Sequence, residues 1–192
     1  MAIQAIFQDA KRKCDFRFAS FSSSCLLETG GVSLPRKGTL SFSRCPWVTL
    51  GRVPWLATES AVEQLRQAFR AEMVRRPFVI DAIVIMPDHL HAIWSLPEGD
   101  ADYAMRWRNI KRAFTARIPP AERPVVFASR QRKGEQAIWQ RRFWEHRIRD
   151  DEDFGRHVDY IHYNPVRHGY VTCPVEWPYS SIHRNRPTRP PC

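Results

Sequence analysis

The stretch from Pro77 to Trp94 limits the folds open to this chain more than any other. Phe78–Met86 is an apolar run rich in Val and Ile, Pro87-Asp88 is a turn dipeptide, and His89–Trp94 resumes with strand formers. Two such runs split by a tight turn read as a β-hairpin, and Pro77 ends the element before them. That element reads as a helix. Val62, Leu65, Phe69 and Met73 fall on one face while Arg66, Arg70 and Glu72 fall elsewhere, and Ser60 followed by Glu63 has the spacing of a capping box. Beyond a Pro97–Asp100 turn, Tyr103, Trp107, Ile110 and Phe114 repeat at helical spacing beside Arg106, Lys111 and Arg112, which predicts a basic helix.

The flanks are less regular. Pro119–Glu135 reads as a polar loop and Trp139–Ile148 as a further strand. Asp150–Asp153 supplies the acidic start that suits a helix macrodipole, with Phe154, Val158 and Ile161 as its buried stripe and Asn164 as its expected end before Pro165. Residues 1–57 are interrupted by Ser20–Ser24, Gly30, Gly31, Pro35, Pro46 and Pro54, with an edge strand expected at most over Thr39–Phe42. After Gly169 the chain turns Pro- and Arg-rich, and Trp177-Pro178 is the expected anchor of a surface tail.

At 192 residues one domain with its own core is expected. The formal charge of +10 favours a polyanionic partner, nucleic acid first. A membrane is the other anionic candidate, but no apolar run approaches the ~20 residues of a span. Cys14, Cys25, Cys45, Cys173 and Cys192 are scattered without metal-binding or redox spacing, so reduced thiols are expected. The N-terminus lacks the order of a secretory signal, which leads to an expected cytoplasmic location.

Chemistry concentrates in two places. On a strand, His89 and His91 project from one side, where both imidazoles can reach one metal ion, while Leu90 and Ala92 point to the core. The alternative is a pair of hydrogen-bonded bystanders. On the last helix, Tyr160 and Asn164 lie one turn apart, on a face expected to stay out of the core. A phenol with a free pKa near ~10 is a poor nucleophile at neutral pH, and a nearby cation favours its ionised form and polarises the phosphorus it attacks. Asn164 offers an amide oxygen as a third ligand; alternatively Tyr160 is a surface residue and Asn164 a C-terminal cap. Tyr163 is the second candidate nucleophile. Between these motifs, Arg106, Arg108, Lys111, Arg112, Arg141, Arg142 and Trp144 interleave base and aromatic ring as single-strand binding requires, although Trp107 at helical spacing suits the core better.

Three motifs then stand in order: Met86-Pro-Asp-His-Leu-His-Ala-Ile-Trp94, Trp139-Gln-Arg-Arg-Phe-Trp-Glu-His-Arg-Ile148 and Asp159-Tyr-Ile-His-Tyr-Asn-Pro-Val-Arg-His-Gly-Tyr-Val171. With them the chain resembles the REP-associated tyrosine transposases, bacterial relatives of the single-tyrosine HUH transposases, from about Ser60 to Trp177. The resemblance implies a ferredoxin-like α+β sandwich, its central antiparallel sheet flanked by helices, with a catalytic domain over 58–177, a divergent segment over 1–57 and a tail over 178–192. It implies His89, His91 and Asn164 as ligands of Mg²⁺ or Mn²⁺ and Tyr160 as the nucleophile. The implied reaction is cleavage and rejoining of single-stranded DNA through a 5′-phosphotyrosine, at the hairpins of repetitive extragenic palindromes. A nucleoid-associated monomer or homodimer is the expected form.

Relatives open with a basic, aromatic strand, whereas Thr39–Leu50 is a poor stand-in for one. A shifted reading frame would account for residues 1–57, and loss of that strand would remove a neighbour of the histidine strand. It would also suit a catalytically inactive, domesticated DNA-binding protein. A metal-dependent hydrolytic nuclease is the third reading of the same residues.

Overall fold

The computed structural model describes residues 39–43, 48–125, 132, 138–140 and 146–185. Among these residues three strands, β1 (Thr39–Ser43), β2 (Val79–Ile85) and β3 (Leu90–Leu96), form one sheet in the order β1-β3-β2. β3 runs antiparallel to both neighbours. Helices α1 (Glu59–Arg75) and α2 (Tyr103–Arg117) cover one face, and α3 (Asp151–Arg167) covers the other. β1, α1 and β2 thus form a crossover with β3 slotted between its strands, the arrangement of a ferredoxin-like sandwich. The expected α+β class holds.

The hairpin closes where the sequence predicts, with the Met86 N–H donating to the His89 carbonyl at 2.8 Å around Pro87-Asp88. Strand alternation then sorts β3. Leu90, Ala92, Trp94 and Leu96 enter the larger core with Val62, Leu65 and Phe69 of α1 and Trp107, Ile110 and Phe114 of α2. Trp94 stacks on Trp107 at 3.6 Å and on Phe78 at 4.4 Å, and Phe69 meets both indoles edge-on. Trp107 is therefore a core side chain. Ile93 faces the other way, into a smaller core with Ala82, Val84, Met86, Ile148, Phe154 and Ile161. No residue of β3 is exposed.

Helix ends depart from expectation in two places. The α1 cap is Thr58 rather than Ser60: the Thr58 hydroxyl accepts the Ala61 N–H at 3.2 Å, and Glu63 pairs instead with Arg70. α3 starts as expected, with the Asp150 carboxylate accepting the Asp153 N–H at 2.8 Å. It does not stop at Asn164. Pro165 forfeits one helical donor, but it is buried, and the donors after it are absorbed when His168 bonds the Asn164 carbonyl and Tyr170 the Pro165 carbonyl. Gly169, at φ 70°, then turns the chain out of the helix.

Three further regions bear on the sequence reading. The strand expected over Trp139–Ile148 is described only at its two ends. Trp139 bridges Thr49, and Gln140 and Ile138 exchange backbone bonds with Val48 and Leu50, while residues 141–145 lie outside the described set. β1 falls on the edge strand expected over Thr39–Phe42 and gives β3 its second neighbour, paired from Thr39↔Leu96 to Ser43↔Ala92. The expected tail past 178 runs along β2 as far as Arg184. Ser180 bridges Val84, the Tyr179 carbonyl accepts the Ile85 N–H, the Ser181 hydroxyl accepts the Ile83 N–H at 2.8 Å, and Arg184 donates to the Ile80 carbonyl at 2.7 Å. Trp177 anchors this run as expected, its indole N–H donating to the Ile85 carbonyl at 2.9 Å. Cys173 is disulfide-bonded rather than a free thiol, and the other four cysteines lie outside the described residues.

Candidate functional site

The second face of β3 carries the histidines. His89 and His91 are 2% and 1% exposed, because α3 lies directly over them. Their rings meet edge to face at 5.2 Å. His89 sits one residue past the hairpin turn, and that turn is held from outside: the Thr49 N–H donates to the Asp88 carbonyl and the Leu56 N–H to the Pro87 carbonyl. Arg52 binds the Asp88 carboxylate at 3.1 Å, and the other Asp88 oxygen lies 2.6 Å from His89 Nδ1. Burial pushes the Asp88 carboxyl up, but the His89 and Arg52 contacts together bring it below its ordinary value. An ionised Asp88 therefore fixes the proton of His89 on Nδ1 and leaves Nε2 to face the interior.

Nε2 looks at α3. The Asn164 side-chain oxygen stands 3.3 Å from it, and Asn164 is 1% exposed. The expectation that Asn164 and Tyr160 stay away from the core is corrected here, since this polar stripe packs against the sheet next to the apolar one. The reason is complementarity: β3 offers imidazoles at that place, so polar groups of α3 meet polar groups of the sheet. Tyr160 is half-buried, with its ring against His91 at 5.3 Å and the Arg167 guanidinium over it, 4.9 Å from its centroid. His168, past the end of α3, reaches back to His89 at 5.0 Å. Burial first, and then the neighbouring His89, push the His168 imidazole below its ordinary value. Tyr163 is 46% exposed, so of the two candidate tyrosines only Tyr160 is among the histidines.

The donor set suits a divalent cation. His89 Nε2 and the Asn164 side-chain oxygen face each other across 3.3 Å, close enough to be ligands of one cation. Two imidazoles and an amide oxygen match a hard to borderline ion, and a carboxylate behind a ligating imidazole is the usual outer support.

The basic residues divide. Arg108 and Arg112 are exposed on α2. Arg106, expected beside them, is instead 2% exposed: its guanidinium is held by Asp100 and by the carbonyls of Arg76, Pro77 and Asp102. It staples α2 to the end of α1, and that ion pair holds Asp100 down to about 2. Lys111 is partly withdrawn, donating to the Gln140 carbonyl at 3.3 Å, and burial lowers its ammonium to about 8. Arg141, Arg142 and Trp144 lie outside the described residues. The sequence reading missed Asp88, Arg52, Arg167 and His168. Adjacency of Asp88 to His89 was the one available signal.

Over 124 residues the chain is 48% identical to a putative REP-associated tyrosine transposase of Haemophilus influenzae, an overlap of 65% of this chain and 70% of that one. It is 45% identical over 123 residues to the REP-associated tyrosine transposase of Escherichia coli, covering 64% and 66% of the two chains. The solved structure of a REP-associated tyrosine transposase bound to a REP hairpin matches with a TM-score of 0.61 and 40% identity, over 79% of this chain and 84% of that one. No protein-family model matches. Fold, site and relatives define a transposase-type domain. The chain belongs to the REP-associated tyrosine transposase family.

Proposed function

We propose that this protein cleaves and rejoins single-stranded DNA at REP-type hairpins by transesterification through Tyr160. The observation that carries the reading is the convergence of Tyr160, His91, His89 and Asn164 between α3 and β3, on motifs shared with relatives of that name. The Tyr160 oxygen attacks a backbone phosphorus, the new O–P bond forms as the bond to the 3′-oxygen breaks, and the phenol proton ends on the departing 3′-hydroxyl. The product is a 5′-phosphotyrosine, whose bond energy allows a 3′-hydroxyl to reverse the step without ATP. His89, His91 and Asn164 are the residues that would hold Mg²⁺ or Mn²⁺, which when bound polarises the phosphate and favours the phenolate. Asp88 orients His89, and Arg167 over the Tyr160 ring adds positive charge where the phenolate develops.

Arg108 and Arg112, with Arg141, Arg142 and Trp144 on the segment leading to α3, are proposed to track the DNA backbone and stack on its bases. The hairpin named in the neighbouring structure supports that substrate. No helix among the described residues is long and apolar enough to cross a membrane. The domesticated reading rested on a missing first strand, and β1 occupies that position.

The test is a labelled hairpin oligonucleotide with a single-stranded flank, incubated with Mg²⁺ or Mn²⁺ and resolved on a denaturing gel. Wild type should carry the label as a covalent adduct, chelator should abolish it, and Tyr160→Phe should bind the hairpin yet form none. An adduct that survives in Tyr160→Phe transfers the role to Tyr163. Cleavage with a free 5′-phosphate and no adduct would make the protein a hydrolytic nuclease instead.

A further inference from the structure

A second cluster lies at the start of α3. Asp153, His157, Tyr160 and Asn164 follow one another at four-, three- and four-residue steps, so they form a single stripe along the helix. Asp153 and His157 are joined there by His146 from the incoming chain, and one ligand atom from each of the three lies within 4.8 Å of the others. We propose that His146, Asp153 and His157 form a second cation site, of the borderline divalent type that Zn²⁺ fills, distinct from the one at His89, His91 and Asn164.

The Asp153 carboxylate is 4% exposed, with His146 Nε2 at 2.8 Å from one oxygen and His157 Nδ1 at 3.2 Å from the other. The two imidazoles are stacked on each other, 21° apart with centroids at 5.0 Å. Two imidazole nitrogens and one carboxylate oxygen make the three-ligand set that leaves a fourth, open position on tetrahedral Zn²⁺. The carboxylate also accepts the Arg149 N–H at 3.2 Å, and His157 Nδ1 lies 2.6 Å from the Asp153 carbonyl, a bond that ligation through Nδ1 exchanges for the metal. Arg149 and Arg156 approach the carboxylate at 3.7 Å, but their side chains are 70% and 60% exposed, and Arg156 pairs more closely with Glu152, at 3.0 Å.

Seven residues separate His157 from Asn164, about 10 Å along a helix axis. Metals that share one phosphate stand ~3.5–4 Å apart. The second site is therefore an anchor rather than a partner in the chemistry. A cation there ties His146 to the helix that carries Tyr160.

The experiment uses the full chain with His89→Ala and His91→Ala together, so that the first site is removed. Zn²⁺ is titrated in competition with a chromophoric chelator, and Co²⁺ is added to read the absorption of a tetrahedral ion. One equivalent of Zn²⁺ should remain bound, raising the melting temperature, and adding either His146→Ala or His157→Ala should abolish both effects. His146→Ala leaves the helix cap and the buried carboxylate in place, so its metal-free melting temperature serves as the folding control. The proposal fails if the double variant binds no Zn²⁺, or if binding is unchanged once His146 and His157 are both replaced. DNA cleavage is not read in any arm, so the outcome is independent of the role assigned to Tyr160.

Discussion

β3 is covered on both sides, yet its two faces are built from different materials. Toward α1 and α2 it presents Leu90, Ala92, Trp94 and Leu96 to an interior of hydrocarbon and stacked rings. Toward α3 it presents His89, His91, Ile93 and Ser95, and α3 answers with Tyr160 and Asn164 beside Phe154 and Ile161. The first face is apolar burial, which stabilises by about 25 cal/mol for each Å² removed from water. Buried polar groups on the second face give back part of that gain unless each finds a partner. One side of the strand therefore holds the fold, and the other is kept for chemistry at some expense to it.

Substitutions on the two faces should separate stability from activity. Tyr160→Phe should give the widest split, with adduct formation falling by about 10⁴-fold or more while the melting temperature barely moves. Trp94→Ala should do the reverse. Removing an indole packed against Trp107, Phe78 and Phe69 should cost about 3–5 kcal/mol in chemical denaturation, with activity per folded molecule retained. Asp88→Asn lies between them: loss of the carboxylate behind His89 should weaken metal-dependent cleavage about 10–100-fold, read as a higher metal concentration at half-maximal rate.

Asp81 tests the expense of the polar face directly. Burial raises its carboxyl from 3.8 to about 6, against the opposing hydrogen bond from Ser95. Because the folded chain holds that proton more tightly, the stability it lends is fully present below pH 3.8 and is lost as pH rises through 6. Asp81→Asn should thus raise the melting temperature at pH 7.5 and change little at pH 3.5. The smallest effect is expected on the exposed side of α2. Arg108→Ala or Arg112→Ala should weaken hairpin binding modestly and flatten its log–log salt dependence by about 0.7 for each phosphate no longer neutralised. An unchanged slope would remove that arginine from the DNA path.

Much of this architecture was legible because it is local. The Pro87-Asp88 turn, the His89-Leu90-His91 alternation and the Tyr160–Asn164 turn of helix are all set within a few residues, where periodicity is a reliable guide. Interactions that bridge long sequence separations were not. Nothing near Arg52 signals that it binds Asp88, and a helix wheel cannot show that Arg106 turns back onto Asp100 and the carbonyls of Arg76 and Pro77. Asn164 falls on the other side of the core boundary from its expected place because a wheel sees only its own helix. The imidazoles that receive it belong to β3. β1 was legible as an edge strand over Thr39–Phe42 but not as the neighbour of β3, because that pairing is carried by the backbone, to which hydropathy is blind.

The run from Trp177 to Arg184 along β2 has a consequence for how the protein behaves in a crowd. An open strand edge is a template on which a second copy can add itself, and β2 would be such a template over Ile80–Ile85. Here the amide of Ile83 is taken by a serine hydroxyl and the carbonyl of Ile80 by an arginine, and the Ile85 backbone is taken by Tyr179 and Trp177. Three side chains and a stretch of backbone at Tyr179 and Ser180 thus silence the edge where another strand would have copied it. A chain cut after Trp177 would keep every residue assigned to cleavage and regain that stickiness, so its solubility, more than its chemistry, would report the loss.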